Sequence, residues 1–355
     1  MHNIIEIGSE YWKYEGPLDC DNEEFWKFGN DNVFTLSGRT AIYYCIMEIL
    51  QKRKIKKVYF PSYSCQSMEQ PFKDLGIEIV YYDVYFDNKL KYSINKDEDC
   101  DIFFAMNYFG YSESNMDKYI QSFKKRDIIV IEDITQSILS NKKFSNNSDY
   151  VVASLRKWFP VMSGGIAVNV DGKFSKPLSD ITNFGVIVPK QLAMENKKTY
   201  IEKSMDKKHL KNIKNEYLNQ YSQSGNVLEN DYKNYAIDEE SLNILMKINL
   251  QDIIETRKAN VEHIYNRLKD NPNINFLFNK YKDDDCLLFV PIILDNNTRN
   301  SLRQFLIQNN VYLPVHWPSE KDKNNIFDRE LSLICDQRYN VQQIECYLDL
   351  IDRFF

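Results

Sequence analysis

The most constraining feature of this sequence is an alternation, over its first half, of short apolar segments with longer segments of helical spacing. The apolar segments predict strands covered on both faces; they are Lys57 to Phe60, Glu78 to Asp83, Ile102 to Met106 and Ile128 to Ile131. The other segments predict helices at Thr40 to Gln51, Gln66 to Leu75 and Met116 to Lys125. This order predicts an α/β domain whose mostly parallel sheet is flanked by helices.

Composition excludes several classes of protein. Of the 355 residues, 43% are hydrophobic and 27% are charged, which is too apolar for a disordered chain and too charged for a membrane protein. No apolar run approaches the roughly 20 residues of a transmembrane helix, and no secretory signal is visible at the N-terminus. A net charge of −6 gives no global field for nucleic acid. We therefore expect no membrane and no nucleic-acid partner.

Cysteine and histidine usage argues against disulfides and metal. The seven cysteines are odd in number and widely spread, without a C-x-x-C pair, which fits reduced thiols in a cytoplasm. The four histidines do not lie at metal-ligand spacing to one another or to a cysteine. We expect a cytoplasmic protein without a metal site.

The second half changes character at about residue 186. Residues 186–235 are rich in Lys, Asn, Tyr, Glu and Ser and predict an insertion that contains an amphipathic helix. A single long helix is expected from Asp238 to Leu268. The last part predicts a smaller α+β domain with strands and helices at Cys286 to Leu294, Thr298 to Gln308, Val311 to Val315 and Val341 to Phe355. The expected division is an N-terminal arm (1–30), a large domain (31–245, with the insertion) and a small C-terminal domain (246–355).

Three motifs could carry chemistry. Ser37-Gly38-Arg39 stands at the start of the first helix, where backbone N–H groups and the helix dipole bind anions; an ordinary N-cap is the other interpretation. Asp133 follows Glu132 at the end of an apolar strand, where ligands of parallel sheets bind; a solvated strand end is the alternative.

The third motif is Lys157, which is followed by Trp158, Phe159 and a Gly164-Gly165 pair. This context predicts a constrained, partly buried turn, and burial favours the neutral amine of Schiff-base chemistry. A surface lysine above packed aromatic rings is the alternative.

Together, an anion turn, an acid after a strand and a lysine are the partners that pyridoxal phosphate (PLP) needs for its phosphate, pyridine nitrogen and aldehyde. In this order they resemble the DegT/DnrJ/EryC1/StrS family of fold-type I, PLP-dependent aminotransferases, which mostly act on nucleotide-linked keto sugars. The resemblance is carried by the segments Ser37 to Ala41, Val58 to Ser64, Asn107 to Gly110, Ile131 to Ser137 and Lys157 to Gly165.

The resemblance implies roles for individual residues. Lys157 is the expected Schiff-base lysine and the catalytic residue, Asp133 the partner of the pyridine nitrogen, and Gln136 a neighbour of the ring hydroxyl. The expected phosphate contacts are Ser37, Gly38, Arg39 and Ser154. Where relatives commonly stack an aromatic side chain on the cofactor, this chain has Cys65, so Tyr63 or another aromatic is expected to stack instead.

Two residues of the small domain are candidate substrate contacts. Because this domain closes over the cofactor in fold-type I enzymes, His316 is expected to contact substrate and Arg338 to bind a donor carboxylate through both nitrogens. A strand-end histidine and an arginine paired with the neighbouring acid are the structural alternatives.

The expected function is transfer of an amino group from an amino acid such as glutamate to a keto sugar. The expected cofactor is PLP. The resemblance also implies a homodimer and a role in amino-sugar or surface-polysaccharide biosynthesis. Two alternatives stay open: another PLP reaction such as sugar dehydration, where histidine replaces the lysine in relatives, and an inactive scaffold or binding protein of the same fold.

Overall fold

The structure is a computed structural model that describes residues 6–202, 207–318 and 326–355. Its helices are α1 (Gly38–Lys52), α2 (Gln66–Asp74), α3 (Asp117–Lys124), α4 (Phe184–Glu202), α5 (Lys207–Asn230), α6 (Glu239–Lys247), α7 (Leu250–Leu268), α8 (Asn296–Gln308), α9 (Ile326–Arg329) and α10 (Val341–Phe354). Short 3-10 turns lie at Glu24–Trp26, Ser112–Ser114 and Leu155–Lys157. Within the described ranges, no helix is long and apolar enough to cross a membrane.

The strands are β1 (Ile7–Gly8), β2 (Asp31–Thr35), β3 (Lys57–Pro61), β4 (Glu78–Phe86), β5 (Leu90–Ser93), β6 (Ile102–Met106), β7 (Ile129–Asp133), β8 (Tyr150–Ser154), β9 (Gly165–Asn169), β10 (Asn275–Phe276), β11 (Phe289–Ile293), β12 (Val311–Tyr312) and β13 (Glu330–Ile334). The strands and helices predicted in the first half are all present. Strand β7 continues to Asp133, two residues beyond the predicted end.

The chain forms two compact units, each built from separate segments. The first comprises the chain up to Ser9 together with Ile55–Val151 and Leu250–Phe355, and the second comprises Glu10–Lys54 and Val152–Asn249. The division predicted from sequence, with boundaries after residues 30 and 245, stays a prediction. Residues 1–5 of the predicted arm and 203–206 of the predicted insertion lie outside the described residues.

The first unit contains a parallel sheet. Its strand order is β7-β6-β3-β4-β5, in which β7, β6, β3 and β4 are parallel and β5 returns antiparallel beside β4. Every residue of β6 and β7 is buried, because α3 packs on both strands and α2 packs on β4. This coverage explains the apolar segments from which the sheet was predicted.

The C-terminal part of the first unit is a smaller α+β layer. An antiparallel sheet of order β10-β11-β13 lies beside α8, and α10 packs on α7 and α8. β1 pairs in parallel with the short β12. Strand β13 is not apparent in the sequence because Glu330 and Ser332 interrupt its apolar pattern, although both are fully buried.

The second unit contains the start of the predicted large domain and the predicted insertion. Its strand order is β2-β9-β8, with β2 antiparallel to β9 and α1 packed on both. Helices α4 and α5 pack against each other. The Tyr200 and Tyr217 rings meet between them with centroids 5.6 Å apart, so the predicted amphipathic helix buries its apolar face on a second helix of the same segment.

The prediction of one long helix from Asp238 to Leu268 is wrong. The helix breaks after Lys247, where Ile248 has an extended ψ of 145°, and α7 begins at Leu250. The break is stabilised by the N-terminal segment: Asn22 Nδ2 donates to the carbonyl oxygens of Leu245 at 3.0 Å and of Ile248 at 2.8 Å. A distant segment therefore satisfies the last carbonyls of α6, which periodicity alone does not reveal.

We predict that Asn22→Ala lowers the free energy of unfolding by about 1–3 kcal/mol, because buried carbonyl groups then lose their donor. Urea denaturation monitored by circular dichroism measures the change. The matched control is Asn297→Ala, whose side chain is exposed in the first turn of α8 and which should change stability by less than about 0.5 kcal/mol. Equal effects of the two variants would show that Asn22 does not hold the break.

Candidate active site

The residues singled out by sequence lie in both units. The first unit holds Asp133, the expected partner of a pyridine nitrogen, and four further candidates, Tyr63, Gln136, His316 and Arg338. The second unit holds Lys157 and the expected phosphate contacts Ser37, Gly38, Arg39 and Ser154. Each set is described within its own unit.

In the second unit, the start of α1 has the groups of an anion site. Ser37 is the N-cap: its Oγ accepts from the Thr40 N–H at 3.2 Å and its carbonyl oxygen accepts from the Ala41 N–H at 3.0 Å. Ser37 also forms a parallel bridge with Gly164, whose N–H donates to the Leu36 carbonyl oxygen at 2.8 Å. An anion site and an ordinary N-cap are both compatible with this structure, because capping leaves the helix dipole in place.

Glycines make the close packing at this turn possible. A Cβ on Gly165 would lie 2.2 Å from the Ser37 carbonyl oxygen, and one on Gly38 would lie 2.9 Å from Ser154 Cβ. Gly164 has a φ of +152°, which L side chains rarely adopt. The Gly164-Gly165 pair thus lets strand β9 start directly against Ser37, the N-cap of α1, and Gly38 lets Ser154 pack against that helix end.

Lys157 lies on the 3-10 turn Leu155–Lys157 that follows β8. Trp158 and Phe159 are fully buried, but the lysine side chain itself is exposed. The turn is thus partly buried, with its aromatic rings directed inward and the lysine on its exposed side. Exposure leaves its amine accessible to a ligand, so its catalytic role stays a prediction.

Arg39, on the first turn of α1, contacts the last turn of α5 and Tyr232 just beyond it. Its Nη1 lies 3.3 Å from the carbonyl oxygens of both Leu228 and Glu229, and its guanidinium carbon lies 5.4 Å from the centre of the Tyr232 ring. These contacts hold the side chain at the helix start. Its role in phosphate binding stays a prediction.

In the first unit, Asp133 is a buried carboxylate at the carboxyl end of a parallel strand. It is 3% exposed, and its Oδ1 accepts from the Thr135 N–H at 2.7 Å. Burial raises its pKa to about 6, although the hydrogen bonds from Thr135 act in the opposite direction. Burying a charged carboxylate in this position costs less free energy when a cationic group lies beside it.

The neighbouring Glu132 points the other way and has a structural role. Its carboxylate accepts hydrogen bonds from Asn107 Nδ2 at 2.8 Å, the Ser145 N–H at 2.8 Å and Ser148 Oγ at 2.6 Å. Adjacent strand residues face opposite sides of a sheet, so the two acids have separate environments, as the sequence predicts.

Gln136 and Tyr63 are both fixed by contacts within the first unit. Gln136 Oε1 accepts from the Phe109 N–H, which leaves its amide nitrogen as a donor. The Tyr63 hydroxyl donates to the His316 carbonyl oxygen at 2.8 Å, and its ring stacks on Tyr108 at 5.6 Å between centroids. Because Tyr63 is fully buried, its ring is already packed on protein; stacking on a cofactor stays a prediction.

His316 is held by two polar groups of β13. Its backbone N–H donates to Glu330 Oε2 at 2.8 Å, and its ring Nδ1 lies 3.0 Å from Ser332 Oγ. The Nδ1 contact fixes the ring orientation. A role in substrate binding stays a prediction for this residue.

Arg338 pairs with the neighbouring acid. Its Nε and Nη2 donate to the two oxygens of Asp336 at 2.9 and 2.8 Å, and its Nη1 donates to the Ser9 carbonyl oxygen at 2.9 Å. Burial alone would raise the pKa of Asp336, but Arg338 holds it below its usual value. The structural alternative for Arg338 is thus present, and a carboxylate clamp stays a prediction.

Solved structures share this architecture over nearly the whole chain. Helicobacter pylori PseC, an aminotransferase involved in the biosynthesis of pseudoaminic acid, has a TM-score of 0.68 at 12% identity, with 99% of each chain covered. The aminotransferase TlmJ from Streptoalloteichus hindustanus has a TM-score of 0.64 at 11% identity, covering 100% of this chain and 98% of that one. No family profile and no curated protein sequence matches this chain.

A third similar structure is the E coli GDP-4-keto-6-deoxy-D-mannose-3-dehydratase with bound hydrated PLP, with a TM-score of 0.62 at 15% identity, covering 93% of this chain and 90% of that one. The chain has the fold of these enzymes. The predicted fold class, a fold-type I architecture with a mostly parallel sheet and a smaller α+β part, is thereby confirmed.

Sequence reasoning missed two basic residues of the second unit, Arg156 and Lys190. Arg156 directly precedes Lys157, and its Nε is buried without a hydrogen-bond partner in the described part of the chain. Lys190 lies on α4 and is 7% exposed. Nothing in the sequence marks either residue, because basic residues of helices and turns are usually solvated.

We predict that Asp133→Asn raises the free energy of unfolding of the cofactor-free protein at pH 7.5 by up to about 3 kcal/mol. The folded-state pKa of about 6 lies above the ordinary value of 3.8, so the contribution of Asp133 to stability is present below about pH 4 and lost as pH rises through 6. Asparagine keeps the acceptor for Thr135 and removes the buried charge.

Urea denaturation at pH 4, 5, 6 and 7.5 measures this effect, and the advantage of the variant should shrink towards pH 4. The exposed carboxylate of Asp270 provides the control, Asp270→Asn, for which less than about 0.5 kcal/mol is expected. If the Asp133→Asn variant is less stable than the wild type at pH 7.5, the buried charge of Asp133 does not lower the free energy of unfolding.

Proposed function

We propose that this protein is a PLP-dependent aminotransferase that moves an amino group from an amino acid such as glutamate to a keto sugar carried by a nucleotide. The observation that carries the proposal is the carboxylate of Asp133, which is buried at the carboxyl end of parallel strand β7 with its pKa raised by burial to about 6. A protonated pyridine nitrogen would offset this cost, because a cation favours the charged carboxylate.

Residues of the second unit fit the other two groups of the cofactor. The α1 N-terminus, where the helix dipole favours an anion and Ser154 packs against Gly38, suits a phosphate. Lys157 lies three residues after Ser154 with its amine exposed, which suits an aldehyde. The donor set therefore fits PLP without any metal ligand.

When bound, PLP supplies an electron sink and a carrier for the amino group. Lys157 would hold the cofactor through Nζ and, once the amino donor has released it, Nζ takes and returns the proton at the reacting carbon. Asp133 would keep a proton on the pyridine nitrogen. Gln136, whose Oε1 is engaged by Phe109, would donate from its amide nitrogen to the ring hydroxyl.

The choice of reaction rests on Lys157. Similar structures include aminotransferases and a sugar dehydratase, so the fold alone is compatible with both reactions. In dehydrating relatives of the family that the sequence resembles, histidine replaces the lysine, and a lysine at position 157 therefore favours amino transfer. Activity on a keto sugar in amino-sugar or surface-polysaccharide biosynthesis is consistent with these neighbours.

We further propose that the protein is a cytoplasmic homodimer. All seven cysteines are free thiols, as expected in a reducing compartment. An apolar stripe is exposed on α4, where Phe184, Val188 and Leu192 are 69%, 47% and 45% exposed at four-residue spacing and so share one helix face. A second copy of this chain is the proposed occupant of the stripe.

We predict that the purified protein with added PLP shows the visible absorption band of lysine-bound PLP, and that L-glutamate shifts it to the shorter wavelength of the amino form. Lys157→Ala should lose the band and reduce amino transfer at least about a thousandfold, because both the covalent link and the proton carrier are removed.

The control is Lys173→Ala, an exposed lysine of the same unit, which should keep the band. Uptake of PLP without a glutamate-dependent shift would exclude glutamate as the donor and reopen dehydration. A wild-type protein that takes up no PLP would support the scaffold alternative.

For the homodimer, we predict that the double variant Phe184→Asp, Val188→Asp is monomeric while the wild type is dimeric, because two carboxylates would be buried without partners in the interface. Sedimentation velocity measures the mass of each. Phe355→Asp changes an exposed apolar residue at the chain end and should stay dimeric. A double variant that remains dimeric would place the interface elsewhere.

A further inference from the structure

Lys190 is a buried charge with little local compensation. It lies on the inward face of α4 with Val186, Ile187, Ala193 and Met194, and 7% of its surface is exposed. The contact that the described residues give its ammonium is Glu10 Oε2 at 3.9 Å, beyond hydrogen-bond distance. Burial lowers its pKa to about 8; Glu10 and Asp238 oppose this shift, and Arg156 and Lys157 add to it.

Arg156 belongs to the same cluster of cations. Its Nε is buried and has no hydrogen-bond partner among the described residues. Burial lowers its pKa, Glu10 opposes the shift, and the Arg39 guanidinium adds to it. A buried guanidinium nitrogen without an acceptor is costly, and Glu10 at 3.9 Å from Lys190 is too distant to hydrogen-bond its ammonium, so a closer anion would stabilise both cations.

The turn after β8 brings Arg156 near the start of α1. Ser154 packs against Gly38, the first residue of α1, with its backbone N 3.1 Å from the Cβ position of the glycine. Arg156 follows Ser154 by two residues, and its charge interacts with Arg39 on the first turn of α1. Lys190 interacts electrostatically with Arg156, so the basic cluster and the start of α1 belong to one region of the second unit.

The charges of the cluster indicate a dianion. Arg39, Arg156 and Lys190 have two further cations near them, Lys157 and Lys197, and the acids of the cluster are Asp238 and Glu10, whose side chain is 54% exposed. Desolvation would raise the pKa of Glu10, but Lys190, Lys157 and Arg156 outweigh it and hold that pKa below its usual value. Cations therefore outnumber acids, and this excess of positive charge matches a phosphate group better than a single carboxylate.

We propose that Arg156 and Lys190 bind the phosphate group of PLP at the N-terminus of α1, and that Glu10 partly neutralises them when no phosphate is present; this rests on the proposed function. Arg156 supplies N–H donors in a planar fork, Lys190 supplies a charge from α4, and the helix end supplies backbone N–H groups. Two cations are thereby added to the serine and glycine contacts expected from the sequence.

The test compares binding of PLP with binding of pyridoxal, which lacks the phosphate but keeps the aldehyde and the ring. Arg156→Gln and Lys190→Met should each weaken PLP binding by about tenfold to a hundredfold. Neither should change pyridoxal binding by more than about twofold. Arg156→Lys should recover part of the lost affinity because the charge is restored, and thermal unfolding confirms that each variant is folded.

Lys173→Met, Arg353→Gln and Glu10→Gln complete the set. The first two remove exposed charges and should leave both affinities unchanged. Glu10→Gln should tighten PLP binding by several-fold and leave pyridoxal binding unchanged, because a competing carboxylate is removed. Unchanged PLP affinity in both Arg156→Gln and Lys190→Met overturns the proposal, as does an equal loss of PLP and pyridoxal affinity.

Inorganic phosphate separates failure of this proposal from failure of the proposed function. Phosphate alone should raise the melting temperature of the wild type in a concentration-dependent way, and both variants should lose this response. If the wild type responds to phosphate but takes up neither PLP nor pyridoxal, the proposed enzyme function is excluded and the phosphate site at Arg156 and Lys190 is supported. If PLP binds and phosphate has no effect on the wild type, this phosphate site is excluded and the proposed enzyme function is supported.

Discussion

The close approach of strand β9 to Ser37, the N-cap of α1, is the constraint on which the candidate site of the second unit depends. The Cβ position of Gly165 lies 2.2 Å from the Ser37 carbonyl oxygen, and that of Gly38 lies 2.9 Å from Ser154 Cβ. Both contacts are too short for any side chain, so two glycines at these positions are needed for the turn to form. Their absence would separate the helix end from the 3-10 turn that carries Lys157.

The buried charges of the two units are complementary in sign. In the first unit, Asp133 is a desolvated carboxylate that a cationic nitrogen would stabilise. In the second, Arg156 and Lys190 are desolvated cations that an anion would stabilise. By contrast, Glu132 is fully hydrogen-bonded within the fold. Buried charges that the fold leaves with few partners, and not buried charges in general, are therefore the candidates for binding groups.

Much of the fold could be predicted from sequence because its strands are covered on both faces and consequently apolar. The exceptions have physical causes. Glu330 and Ser332 conceal β13, since a polar pair that hydrogen-bonds internally can be buried in a strand. The break after Lys247 depends on Asn22, more than 200 residues away, and no local pattern can report such a contact.

The residues of the candidate site can be predicted from sequence where the local backbone geometry restricts the residue type. They cannot be predicted where only tertiary packing buries the side chain. Ser37, Gly38 and Gly164-Gly165 are recognisable because a helix start and a close approach restrict residue type. Lys190 is indistinguishable by sequence from the solvated lysines around it, since only the packing of α4 buries it. The exposure of Lys157 likewise follows from the inward packing of Trp158 and Phe159.

The segment Asn234-Tyr235 is a point at which this chain differs from the family that it resembles. In that family, a Gly-Tyr-Asn segment of a neighbouring subunit usually reaches the phosphate, and Asn234-Tyr235 is its nearest counterpart in this chain. Tyr235 is committed to its own chain: its carbonyl oxygen accepts from the Leu36 N–H at 2.9 Å, and its hydroxyl donates to Asp231 at 2.8 Å. This segment thus stabilises the turn before α1 from within the chain. If Arg156 and Lys190 bind the phosphate, as proposed, they would replace the hydrogen bonds of a neighbouring subunit with charges from the same chain, and cofactor affinity would depend on the packing of α4 more than on assembly.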